Sequence, residues 1–82
     1  MMQNLIKYIV EQLVDEKEAI VIEENNESEK VVVVNIKVAK GDIGKVIGRN
    51  GKVAASIRTI VKSASAKSGK RYIVKIGEKE EA

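Results

Sequence analysis

The sequence predicts an α+β fold: one small three-stranded sheet with helices packed on one face, in the order α-β-β-α-α-β. Three observations carry this. Apolar residues recur at helical spacing near the start of the chain and again after Lys52. Between and after these helices, VVVVNIKV and RYIVKI have the β-branched density of strands. The third is size. Eighty-two residues make a single domain, 1–82, with a core β-α-α-β unit over about 31–77 and an acidic tail at 78–82.

Each element has its own warrant. Leu5, Ile6, Ile9, Val10, Leu13 and Val14 fall on one face of a helix, with Lys7, Glu11 and Asp15 opposite, which predicts a helix over Met2–Asp15. Ala19–Glu23 is short and β-branched and reads as a strand. Asn25–Ser28 is a polar turn cluster, so this strand and the next form an antiparallel hairpin. Val31–Val38 is that next strand. Val32, Val34, Ile36 and Val38 share its apolar face, and Asn35 and Lys37 lie on the other. Asp42–Ile47 supplies one to two turns of helix, for which Asp42 is the candidate cap.

The chain then breaks at Gly48-Arg49-Asn50-Gly51. Lys52–Lys67 is a second amphipathic helix that turns Val53, Ala54, Ile57, Ile60, Val61 and Ala64 to the core. Gly69 suits the position just past its end. Arg71–Ile76 is the closing strand, and Asn35, Lys37 and Lys75 mark the wetter sheet face.

Composition narrows the function. There is no Cys and no His, which removes the commonest metal ligands, general base and nucleophile. Neither an enzyme nor a metal or cofactor site is expected. No apolar run approaches the ~20 residues that span a bilayer. No signal-peptide pattern opens the chain, so the expectation is a cytoplasmic protein with no membrane partner. Charge is divided unevenly. Residues 1–35 carry three Lys and eight Asp/Glu; residues 36–82 carry twelve Lys/Arg and four Asp/Glu. Within 36–77 the only acid is Asp42. A basic half of this kind suits a polyanion, or is simply a solvated face.

The glycine loop favours the polyanion. Gly48 and Gly51 can take positive φ and let another backbone approach. The helix that follows presents unpaired N–H groups and a partial positive charge, which suit phosphate. Arg49 and Lys52 add charge beside it, and Lys45 lies one turn earlier. The spacing matches neither a Walker loop nor a dinucleotide-binding fingerprint.

Val46-Ile47-Gly48-Arg49-Asn50-Gly51-Lys52 resembles the Val-Ile-Gly-x-x-Gly signature of the KH domain. That fold clamps about four nucleotides of single-stranded backbone with this loop. A helix and strand before the β-α-α-β unit, and only a few residues after it, resemble the type II KH arrangement. With GDIGKVIGRNGKVAASIRT in a chain filled by one such domain, the sequence is similar to the small bacterial KhpA family of RNA-binding proteins. The resemblance implies an RNA chaperone or post-transcriptional regulator. It also implies a homodimer or a heterodimer with KhpB, a larger KH protein, and a part in cell elongation and cell-wall homeostasis.

Carried onto this chain, the resemblance makes Gly48 and Gly51 the clamp and places Arg49 against phosphate. Asn50 hydrogen-bonds or tolerates the turn, and Lys52 and Lys45 add electrostatic attraction. Gly44, Ile47 and Ala54 match positions that line the base groove, with core packing as the competing role. Arg58 and Lys62 extend the basic track or form salt bridges. Tyr8 and Tyr72 are the only rings, both expected to be partly buried, so base readout rests on aliphatic and backbone contacts. Binding by one domain is then weak, and pairing two domains compensates. Two alternatives stand beside single-stranded RNA binding: a dimerisation subunit with negligible RNA affinity of its own, and a single-stranded DNA binder.

Overall fold

A computed structural model of the chain describes residues 2–79. The elements are α1 (Met2–Glu11), β1 (Val21–Asn26), β2 (Val31–Val38), α2 (Ile43–Ile47), α3 (Lys52–Ser65) and β3 (Arg71–Glu78). The order α-β-β-α-α-β and the three-stranded sheet are as expected from the sequence.

The sheet order is β1-β2-β3. β1 pairs antiparallel with β2, from Val21 opposite Lys37 to Asn26 opposite Val32. β2 pairs parallel with β3, from Val31 opposite Arg71 to Val38 opposite Glu78. A parallel pair cannot be joined by a tight turn. The connection from β2 to β3 is therefore a long crossover, and it contains α2, the glycine loop and α3.

Val32, Val34, Ile36 and Val38 are buried together, as their alternation predicts. They meet Ile6, Val10 and Val14 from the N-terminal segment, Val46 of α2, Ile57 and Val61 of α3, and Val74 of β3. No aromatic ring belongs to this buried set. Tyr72 packs at its margin and Tyr8 stands largely exposed, so only one of the two rings is partly buried.

Several boundaries differ from the sequence reading, each for a physical reason. α1 stops at Glu11, four residues short of Asp15, because its last turn tightens: the Gln12 and Leu13 amides donate to the Ile9 and Val10 carbonyls. Val14 is nevertheless buried, so the apolar period reported burial correctly beyond the regular backbone. β1 starts at Val21 because Lys17–Ala19 forms a 3-10 turn. It runs on through Asn25 and Asn26, where ladder pairing with Val33 and Val32 overrides the turn preference of asparagine.

In α3 the buried stripe is Ala54, Ile57, Val61 and Ser65. Ile60, 41% exposed, and Ala64 are corrections to the expected core, for they lie on the flank of that stripe. The helix ends at Ser65 rather than Lys67, and Gly69 takes φ 76° in the turn that follows. β3 extends to Glu78, so the expected tail begins with a strand residue; residues 80–82 lie outside the described residues.

The face of the sheet away from the helices carries Asn35, Lys37 and Lys75, as the alternation implies. It also carries Val33, buried among cross-strand neighbours Asn25 and Ile73. Among the described residues no helix is long and apolar enough to cross a membrane.

Candidate nucleic-acid interface

α2 is five residues long and is pinned to the core by Val46. It ends at Gly48, whose amide donates to the Gly44 carbonyl at 2.9 Å. Gly48 sits at φ 76°, ψ 172°, a region essentially reserved for glycine. A Cβ there would overlap Val53 Cγ2 and lie 2.8 Å from Val53 Cβ and 2.9 Å from its backbone nitrogen. Gly48 is thus required twice, by its own dihedrals and by the start of α3 pressed against it.

Gly51 differs. It is left-handed, at φ 74°, ψ 13°, but a Cβ would enter open space. Asn50 is also left-handed, at φ 56°, a conformation asparagine tolerates better than most residues. Three left-handed positions within four residues turn the chain sharply into α3. The Gly51 amide donates to the Gly48 carbonyl at 3.1 Å, closing a single 3-10 turn.

α3 then begins with no side chain capping it. Its first amide, that of Lys52, donates to the Arg49 carbonyl of the preceding 3-10 turn, and the helix start carries the positive end of the dipole. Arg49 and Lys52 are exposed beside it, and among the described residues neither has a carboxylate partner. A helix start and two cations without carboxylate partners among the described residues therefore converge on one turn.

The other expected site residues divide. Gly44 is exposed on α2, and a Cβ there would meet nothing within 4 Å. A helical glycine costs about 0.5–1 kcal/mol relative to alanine, and no neighbour in the fold demands this one. Ile47 is partly exposed beside the loop. Ala54 is only 4% exposed, so it belongs to the core as well as to the base of the loop.

Lys45 is engaged within the protein. Its ammonium pairs with Asp15 and, at 3.2 Å, with Asp42 Oδ1. Asp42 is 3% exposed, and its Oδ2 accepts the Glu16 amide at 3.0 Å. It does not cap its own helix, as the sequence suggested; it fastens α2 to the segment after α1. The Glu16 amide holds the Asp42 carboxyl below its ordinary value, against the opposing effect of burial and with further help from the Asp15 amide and Lys45. Hydrogen bonds to Asp15 and Asp42 hold the Lys45 ammonium above its own.

Arg58 lies on the opposite flank of α3, its Nε donating to the Val74 carbonyl at 3.4 Å. It borders a cleft of about 640 Å³ between α3 and β3, with Lys62, Lys70 and Arg71 as the other cations and no carboxylate among its lining residues. Of these cations the sequence reading singled out Arg58 and Lys62 and did not single out Lys70 and Arg71. The available signal was the Lys-Arg pair opening a strand that must return alongside a basic helix. The glycine loop does not line this cleft.

The chain matches the family model for the KH domain of KhpA/KhpB over residues 3–76. It is 43% identical over 75 residues to the RNA-binding protein KhpA of Caldanaerobacter subterraneus subsp. tengcongensis, covering 92% of this chain and 99% of that one. The KhpA of Oceanobacillus iheyensis is 44% identical over 75 residues, with the same coverage. That of Aquifex aeolicus is 35% identical over 75 residues, or 92% of this chain and 94% of the other. No solved structure matches.

Proposed function

The chain belongs to the KhpA/KhpB KH-domain family, and from that premise we propose that it binds single-stranded RNA by the sugar-phosphate backbone, using Gly48–Gly51 and the first turn of α3. One observation carries the reading. Gly48 is held in a glycine-only conformation that delivers Arg49, Lys52 and an uncapped helix start to the same exposed turn. Gly44 supports it, since a helical glycine with open space over it leaves room for a ligand backbone.

Phosphate contacts position a strand without reading its sequence. The protein therefore takes many RNAs weakly, which suits a chaperone or post-transcriptional regulator. Pairing with a second copy or with a KhpB-like KH protein links two weak sites and raises affinity. A part in cell elongation and cell-wall homeostasis follows from such pairing. Ile60, exposed on α3, is the observation that favours assembly. Sedimentation over a concentration series reads it directly.

The test of the clamp leaves both glycines in place. Substituting Gly48 confuses loss of binding with loss of fold, because Val53 already occupies the space. Arg49→Asp with Asn50→Asp reverses the charge at exposed positions, and aspartate tolerates the left-handed conformation at 50. Fluorescence anisotropy with a single-stranded RNA oligonucleotide is expected to lose at least about tenfold in affinity, the circular-dichroism spectrum staying as in the parent. Undiminished binding by this variant places the site elsewhere. Affinity of the parent falls as salt rises. The clamp sees no 2′-hydroxyl, so a DNA oligonucleotide of the same sequence is the control for the single-stranded DNA alternative.

A further inference from the structure

Lys45 is the cation nearest the clamp on α2, yet its ammonium is shared between two carboxylates of different standing. Asp42 is buried, and the Glu16 amide fixes its other oxygen, so it cannot leave without stranding that donor. Asp15 is 82% exposed and lies beyond the end of α1. Its pairing with Lys45 is the weak, screened kind found at surfaces. The three groups together carry a net charge of −1, which repels phosphate beside a loop whose other charges attract it.

We propose that Asp15 is an affinity-limiting residue: it occupies on Lys45 the place an RNA phosphate would take, and so withholds one cation from the clamp. This rests on the RNA-backbone reading of the loop. Asp42 keeps the Lys45 side chain in position, and Asp15 is the removable half of the pair. An ammonium has three donors in all. With Asp15 neutralised, one remains on Asp42 and two are released for a phosphate. The result is a protein that holds RNA less tightly than its basic half permits, which suits a binder that must release its strand.

The test is Asp15→Asn, measured by anisotropy against a single-stranded RNA oligonucleotide over a salt series. Affinity at low salt is expected to rise about two- to fivefold, the scale of an exposed ion pair. The plot of log K against log salt is expected to steepen by about 0.7, one further phosphate neutralised on a single strand. Both changes disappear when Lys45→Gln is added, while Lys45→Gln in the parent background gives a smaller loss than in the Asp15→Asn background.

A gain that survives Lys45→Gln is a general effect of removing a negative charge, and overturns the proposal. So does an unchanged salt slope, provided the parent binds RNA and Arg49→Asp with Asn50→Asp does not. If instead that double variant binds as well as the parent, it is the clamp reading that fails. Asp15 is exposed, so the variant is expected to fold as the parent does, and circular dichroism confirms this before binding is read.

Discussion

Gly48→Ala and Gly51→Ala are the same chemical change three residues apart, and they should differ sharply. At Gly48 the methyl enters a backbone region essentially closed to other residues, a strain of about 1–3 kcal/mol. It also meets Val53 Cβ at 2.8 Å and the Val53 nitrogen at 2.9 Å. Side-chain rotation relieves neither contact, because both atoms belong to the first turn of α3. Overpacking of this kind adds about 1–3 kcal/mol. At Gly51 only the left-handed conformation opposes the methyl, at about 1–2 kcal/mol, since the space around it is empty.

A domain of this size has roughly 4–12 kcal/mol in total, so the larger loss removes a substantial share. In thermal unfolding followed by circular dichroism, Gly51→Ala is expected to lower the midpoint by about 5–10 °C and Gly48→Ala by at least about 10–20 °C. Adding Val53→Ala to Gly48→Ala removes Cγ2, the nearest atom, but leaves the Val53 Cβ and nitrogen, so it recovers only part of the difference. Midpoints for the two single variants within about 2 °C of each other would refute this account of the loop.

Three further outcomes are expected. Gly44→Ala should raise stability by about 0.5–1 kcal/mol, as alanine does in a helix, yet weaken RNA binding because the methyl stands where a strand approaches; a variant that gains stability with unchanged affinity removes Gly44 from the interface. Ile57→Ala, at the buried centre of α3, should cost about 2–5 kcal/mol in a urea titration, with the slope of the transition unchanged. Asp42→Asn should be less stable than the parent at neutral pH. The Asp42 carboxyl is held below its ordinary value of 3.8 in the folded state, so its contribution is complete above that value and is lost as pH falls through the folded one. The gap between variant and parent should therefore persist near neutrality and close in acid below 3.8, which paired urea titrations across pH would show.

Much of this was legible because local pattern and tertiary demand coincide. β2 alternates from Val34 onward because one face must meet the helices, and its bounds are those the sequence suggests. The break between the two helices was legible because glycines at 48 and 51 can take the positive φ that the turn requires. Three features were not. The end of α1 is set by a tightened last turn that preserves the apolar rhythm, so the rhythm alone could not find it. Ile60 follows helical spacing as well as Ile57 does, and only the orientation of α3 on the sheet tells them apart. The part of Asp42 was hidden because the Glu16 amide comes from a segment 26 residues away that the sequence does not place beside it; a cap was the nearest local answer.

The parallel pairing of β2 with β3 has a kinetic consequence. The hairpin of β1 and β2 closes through a short turn, and its contacts are local. β3 can join only after the whole crossover has been gathered, a non-local closure of the kind that slows folding. The glycine loop and both its flanking helices lie inside that crossover. A chain with the hairpin formed and β3 still undocked would keep its early strands and lack a set glycine loop. RNA would bind the closed chain in preference, and by mass action would hold β3 in place once it had docked.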